Sequence, residues 1–415
     1  MTCMVSGNLN TVSGLVVSAY SRPVVRIAPS QYSTDDPVAV SVLYGAGNPF
    51  IKIIIWKPEI QASDITLAFR RKVADAYSMS IMVSLGAFVD SCTQILLQKL
   101  QFFARNGIAI DVPHWTQCYA FDVIEKLTFG DRFGFLDEGK DIQGIMASLH
   151  QYLGYAARVG VYSEWHKWAY LAAGIAHVAV FALQRIDKRL RSEASGKTQR
   201  ERDQQRRYIA VCVANVGAGS DTTSISLNAV LYCLCKNPPM VQKLRDEITT
   251  KRAQGELSEP VAFQQGQSMP YLQTVIKKGL RMRPAAGYPL MRVVPREGAT
   301  IAGHTFPPGG HAILGINPWV AHANQAVFGE DACNFLVKRR EAYFLTFGAG
   351  SRTCIGKNIS FMEMTKEVPE VIEEFDLELE PPTCTWKTAN VWFVKQTDFR
   401  CRIRRCAQST HLGRQ

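Results

Sequence analysis

One cysteine stands out by its surroundings. Cys354 lies in Phe347-Gly348-Ala349-Gly350-Ser351-Arg352-Thr353-Cys354-Ile355-Gly356, where three glycines and one arginine crowd a single thiol. Apolar and polar residues then alternate at helical spacing for about twenty positions. A thiol at the mouth of a helix meets backbone N–H groups and the positive end of the helix dipole, which favours the thiolate. Gly348 and Gly350 let the backbone approach something flat and large without Cβ clashes. Arg352, two residues before the thiol, reaches an anionic group on the same object. Phe347 adds an aromatic wall. Together these groups suit a haem held by a cysteine. A lone cysteine before an ordinary helix would read instead as a small core residue.

A second stretch, Ala218-Gly219-Ser220-Asp221-Thr222-Thr223, sits inside a long apolar helical pattern from Ile209 to Asn237. Asn237-Pro238-Pro239 stops that helix. Gly217, Gly219 and the hydroxyl residues predict a local break in the hydrogen-bond ladder, a groove for a small molecule and water. Asp221 supplies an acid and Thr222 a hydroxyl relay beside it. Taken without the cysteine loop, the same residues read as a helix with a flexible Gly/Thr patch. A third stretch, Tyr271 to Pro284, is a helix halted before proline, with Lys278 and Arg281 one turn apart.

The elements that must position these groups are mostly helical. Val89 to Leu100 and Trp115 to Phe129 repeat apolar residues at i, i+3, i+4. Ile142 to Tyr155 forms a further helix, Asp36-Pro37 opens a short one to Tyr44, and Ile65 to Tyr77 carries Arg70-Arg71-Lys72 in helical context. After Cys354, residues Ile359, Met362, Val368 and Val371 share one helical face, which Pro369 should kink. Strand signals are short. Val24 to Ala28 closes at Pro29-Ser30. Thr300 to Gly303 and His311 to Ile316 flank Pro307-Pro308-Gly309-Gly310 as a hairpin. Trp386 to Val394 and Phe399 to Ile403 read as a strand pair.

Of 415 residues, 47% are hydrophobic and 20% charged, an ordinary globular balance. No linker or repeat divides the chain, so residues 24–404 read as a single domain, with an N-terminal extension at 1–23 and a tail at 405–415. The formal charge of +11 fits nucleic acid, anionic membrane or an acidic protein partner. No nucleic-acid motif accompanies it, which favours a membrane surface or an acidic electron donor, and a plain basic surface stays open. The 11 cysteines form no C-x-x-C pair and the 8 histidines show no metal-ligand spacing, which argues against zinc or a disulfide framework. His322 reads as structural. Met1 to Ser21 has no basic n-region or long apolar core, so neither signal peptide nor anchor is expected. The longest apolar run, Trp168 to Leu183, is shorter than the ~20 residues needed to span a bilayer and reads as a core helix.

The loop Phe347-Gly348-x-Gly350-x-Arg352-x-Cys354-x-Gly356 resembles the haem-binding signature of the cytochrome P450 monooxygenases at all its defining positions. The Asp221-Thr222 stretch is similar to that family's oxygen-activation motif. The resemblance runs from Val24 to Arg404. It includes cues of fungal, pisatin demethylase-like members at Tyr77-Ser78-Met79-Ser80, Gly356 to Ser360 and Trp386-Lys387. It implies a mainly α fold with a small β-subdomain, the cytochrome P450 fold. It also implies heme b, with Cys354 as axial iron ligand, Phe347, Gly350 and Arg352 in its loop, and Arg292 and Arg70 on the propionates. For Arg70, a solvated basic face explains the three cations equally well. The implied activity is insertion of one atom of O2 into a lipophilic small molecule of fungal secondary metabolism, with Asp221 and Thr222 delivering protons. Electrons would come from NADPH through NADPH–cytochrome P450 reductase, since no flavin or nucleotide signature is present. The family resemblance implies the endoplasmic reticulum surface with peripheral membrane contact. The missing anchor keeps a cytoplasmic location open.

Two positions depart from the family pattern. It carries Glu-x-x-Arg where this chain has Lys278-x-x-Arg281, and its glutamate bridges two arginines behind the haem. The second arginine falls at Arg339, in Val337-Lys338-Arg339, where the family usually reads Pro-Glu-Arg. Losing a buried ionic partner costs about 3–5 kcal/mol, a large part of a typical stability of ~5–15 kcal/mol. A degenerate or non-catalytic haem protein is therefore the alternative function. A haem-free membrane-surface or scaffold protein is a third, resting on charge and the Trp168 run. The chain also reads as shortened around Ile51 to Asp64, Arg185 to Arg207 and Arg340 to Tyr343.

Overall fold

A computed structural model describes residues 23–52, 70–71, 73–159, 199–309, 312–330, 332 and 343–406. The Trp168 to Leu183 run, Lys338 and Arg339 lie outside the described residues. Strands β1 (Val24–Ala28) and β2 (Gln31–Thr34) form an antiparallel hairpin at the predicted turn. Asp36 caps α1 (Pro37–Tyr44) by accepting the Val38 N–H at 2.8 Å, and Pro37 brings its preset φ to the first turn. Strand β3 (Ile51–Lys52) follows.

The predicted amphipathic stretches lie within α2 (Gly86–Asn106) and α3 (Val112–Phe129), which are joined by β4 (Ala109–Asp111). Helix α4 (Ile145–Val159) follows. The central element is α5 (Gln199–Cys235), 37 residues long. Pro238 then starts α6 (Pro238–Ala253), and α7 (Pro270–Met282) carries Lys278 and Arg281. Helix α5 packs against α3, α7 and α8 (Lys357–Glu374), and these helices enclose one large apolar core.

The expected break in α5 is absent. The helix runs unbroken through Gly217 and Gly219. Nearby hydroxyls donate back to their own helix: Ser220 to Val216 O at 2.8 Å, Thr222 to Ala218 O at 2.6 Å and Ser226 to Thr222 O at 2.8 Å. Gly219 serves packing instead. A Cβ there would stand 3.0 Å from the Ile124 side chain, so its absence lets α3 lie close against α5.

Among the described residues five strands make the larger sheet, in the order β1-β2-β8-β5-β3, with β5 at Arg292–Val293 and β8 at Ile313–Gly315. Beside it, β6 (Ala299–Ile301) and β7 (His304–Phe306) form their own hairpin. This corrects the sequence reading. The hairpin turns at Ala302-Gly303, both at positive φ, and the Pro307–Gly309 segment leads away to β8 (Ile313–Gly315). Strand β8 pairs with β2 and β5 rather than with its sequence neighbour.

The C-terminal strands are re-paired as well. After β9 (Phe375–Leu379), strand β10 (Lys387–Val391) forms a hairpin with β11 (Phe393–Thr397), turning at Trp392 with φ +82. Strand β12 (Arg400–Arg405) joins β4 and β9 instead. Trp392 stacks on Tyr288 with ring centroids 5.3 Å apart. No helix among the described residues is long and apolar enough to cross a membrane.

Helix α8 continues past Pro369 and buries two acids one turn apart, Glu363 and Glu367. Neither oxygen of Glu363 meets a hydrogen-bond partner among the described residues. Burial pushes the Glu367 carboxyl up to about 8. Burial, reinforced by Glu367, lifts Glu363 well above the usual carboxylate range. The folded state therefore keeps a proton on Glu367 that the unfolded chain gives up near 4.5. Its contribution to stability is complete below about pH 4.5 and declines as pH rises towards about 8. Thermal unfolding across pH should show Glu367→Gln raising Tm at pH 8 and leaving it nearly unchanged at pH 4.

Candidate functional site

Arg281 is 1% exposed at the end of α7, and a guanidinium so placed must be satisfied by protein groups. Its Nη1 donates to His322 O at 2.8 Å and to Ala332 O at 2.7 Å. His322 answers by donating from Nδ1 to Arg281 O at 2.9 Å, while its Nε2 accepts the Leu345 N–H at 2.8 Å. One ring nitrogen donates and the other accepts, so the imidazole is neutral. Burial pushes its pKa down to about 3, in keeping with that assignment. Through these bonds α7 positions the segment that leads into the cysteine loop.

That loop is closed on itself. The Cys354 N–H donates to Phe347 O at 2.7 Å, and Thr353 N–H to Gly350 O at 3.1 Å. Gly350 has φ +64, and a Cβ there would fall 1.7 Å from Tyr44 O. The loop can therefore rest on the end of α1 only with glycine at that position. Cys354 reaches solvent at the start of α8. Desolvation raises its thiol above the usual range, while the Gly356 and Lys357 N–H groups, Arg70 and Lys52 pull the other way.

Two cations, Arg70 and Lys52, act on this thiol, and Arg292 and Arg352 act in turn on Lys52. Arg70 donates to Thr353 O, immediately before the cysteine, whereas Arg71 is exposed. Arg292, buried on β5, donates to Met291 O at 2.9 Å and lies over the Tyr44 ring at 4.7 Å. Tyr44 is held in turn: its hydroxyl donates to Leu290 O at 2.8 Å and accepts the Ile316 N–H at 2.9 Å. Desolvation lowers the pKa of Lys52, and so do Arg292, Arg352 and Arg70. Arg352 is lowered by desolvation and then by Arg70. A cavity of about 130 Å³ opens between Tyr44, Phe50, Lys52, Arg292 and Arg352. The donor set fits a flat, iron-bearing ligand with carboxylates, offering a thiol for the metal and mutually repelling cations for the acids.

Asp221 and Thr222 stand apart from these cations and make their contacts with α3, β11 and their own helix. Asp221 is 1% exposed; its Oδ1 accepts from Gln117 Nε2 at 2.5 Å and its Oδ2 lies 3.0 Å from Lys395 Nζ. Lys278 is buried on α7, one turn before Arg281, with 5% exposure. Sequence reasoning missed Tyr44, Lys52, Gln117 and Lys395. Lys52 carried a faint signal, a lone cation in the apolar run Ile51 to Ile55. The other three gave none, because their partners lie far away in sequence.

A family model described as Cytochrome P450 matches residues 67–398. Pisatin demethylase of Fusarium vanettenii is 34% identical over 420 residues, covering 90% of this chain and 81% of that protein. A cytochrome P450 monooxygenase of Aspergillus terreus is 33% identical over 409 residues, covering 86% of this chain and 82% of its own. A crystal structure of a cytochrome P450 superposes with a TM-score of 0.77 at 19% identity, covering 95% of this chain and 94% of that one.

The neutral state of His322 makes a test. Its folded-state pKa lies near 3, below the ordinary 6.5, so its contribution is fully present above about pH 6.5 and is lost as pH falls towards 3. His322→Leu strands the Leu345 N–H and the Arg281 carbonyl. It should cost about 2–4 kcal/mol near pH 7, read from denaturant unfolding, and less at low pH.

Proposed function

This chain belongs to the cytochrome P450 family, and from that premise we propose that it oxygenates a lipophilic small molecule of fungal secondary metabolism. The observation that carries the reading is the Cys354 thiol at the start of α8 with Arg70 and Lys52 acting on it and Arg292 and Arg352 grouped with Lys52. Cys354 would hold the iron of heme b, and the cations would hold its propionates, with Phe347 and Gly350 shaping the cradle. When bound, the haem supplies the redox chemistry that activates O2. One oxygen atom enters the substrate and the other leaves as water, which consumes two electrons and two protons.

NADPH, through NADPH–cytochrome P450 reductase, is the proposed electron source, at an endoplasmic reticulum surface that the basic chain contacts peripherally. Relatives in Fusarium and Aspergillus support the fungal setting. The chain's own task is positioning. The Arg281–His322 bonds hold the approach to the loop, and the N–H groups of Gly356 and Lys357 favour the thiolate. Asp221 and Thr222, adjacent on α5, would carry the protons.

Lys278 motivates a second reading. A buried cation one turn from Arg281 stands where the family places a glutamate, and it would weaken haem retention. The carbon-monoxide difference spectrum of the reduced, purified protein tests the main reading. A thiolate-type band is expected, and no haem signal would overturn it. Cys354→Ser should abolish that band. Lys278→Glu should slow haem loss to an acceptor protein if the lysine weakens the site, and an unchanged rate of loss would remove the second reading.

A further inference from the structure

Asp221 is not a bare acid at the end of a relay. Its Oδ1 accepts from the neutral Gln117 amide of α3, and its Oδ2, which accepts no hydrogen bond among the described residues, forms an ion pair with the Lys395 ammonium of β11. The carboxylate is sealed at 1% exposure, while the Lys395 side chain keeps 19%. Lys395 is thus the charged group that joins a buried acid to the solvent side.

Its place is set by a second bridge that carries no charge. Gln396, the next residue on β11, donates to Ile225 O at 3.3 Å, and its Oε1 accepts from Asn228 Nδ2 at 3.4 Å. Asn228 Oδ1 in turn accepts from Thr116 at 2.7 Å. Asp221, Ile225 and Asn228 share one face of α5 by helical spacing. Neighbouring residues of α3, Thr116 and Gln117, and of β11, Lys395 and Gln396, therefore meet that face in two parallel bridges. The neutral one fixes the strand, and the ionic one uses the placement. Among the described residues, His150 of α4 is a further titratable group on this side. Desolvation and then Lys395 lower its pKa, so it does not replace Lys395 as the cation.

We propose that Lys395 is the positioning residue for Asp221, holding its carboxylate ionised and fixed beside Gln117 so that the acid next to Thr222 is delivered in one charge state and one orientation. The inference rests on the monooxygenase reading, in which Asp221 serves proton delivery. A buried carboxylate stripped of its cation is costly, and the cheapest relief is to bind a proton.

The test compares Lys395→Met and Lys395→Arg in the haem-loaded protein. Infrared spectra at pH 7, each taken against the matching Asp221→Asn variant, should show a protonated carboxyl band in K395M that is absent from the parent protein and from K395R. In turnover with reductase and NADPH, K395M should lower kcat about tenfold, leave KM within about twofold and shift the pH profile, with K395R restoring most of the rate. If K395M does not fold, Lys395→Gln removes the charge with less disturbance and is read the same way. No band together with an unmoved pH profile overturns the inference. A parent protein without a thiolate-type carbon-monoxide band overturns the monooxygenase reading instead, and the infrared comparison still decides whether Lys395 governs Asp221.

Discussion

A guanidinium removed from water must be satisfied by its neighbours, and Arg281 imposes that demand at the centre of this fold. Its bonds to His322 O and Ala332 O reach chain segments 41 and 51 residues away. The return bond from His322 Nδ1 and the bond from Leu345 N–H to His322 Nε2 complete the circuit. Every member is buried, so each loses more by breaking than an exposed pair would. The cysteine loop begins just beyond Leu345. Its backbone bonds and its seat on Tyr44 refine a position that the Arg281–His322 circuit has already restricted.

The two halves of the proposed site are built by different means. The thiol side is assembled from loop backbone, the start of α8 and cations drawn from β3, β5 and residue 70. Most of its specificity is electrostatic, and the cations repel one another without an anionic ligand. The α5 side is assembled by close packing and paired polar bridges, and its acid is neutralised within the protein. This contrast explains why Gly219 sits where it does. Removing a Cβ brings α3 near enough for Gln117 to reach Asp221, so the same glycine that suggested a helix break supports a contact.

Legibility followed distance along the chain. The Cys354 loop, the Asp36 cap, the paired amphipathic helices and the turn after β1 all depend on residues within a few positions of each other, and the sequence reveals them. Pairing of β8 with β2, or of β12 with β4, depends on strands hundreds of residues apart and leaves no local mark. The misplaced hairpin at Pro307 to Gly310 shows the same limit, since its turn chemistry is genuine but joins different sheets. Arg292 and Arg70 were legible only through resemblance. Lys395 and Tyr44 were not legible, because a lysine in an alternating strand and a tyrosine at a helix end look ordinary until their partners are seen.

Glu363 and Glu367 change the protein's proton inventory. The formal charge of +11 counts every carboxylate as ionised. With both buried acids neutral near pH 7, the folded molecule is about two units more positive than that sum. Unfolding frees those protons into the medium. The heat of denaturation therefore contains the buffer's own heat of protonation, and scans in phosphate and in Tris will differ for a reason seated in two side chains of α8. The folded surface also meets anionic partners with more positive charge than composition suggests.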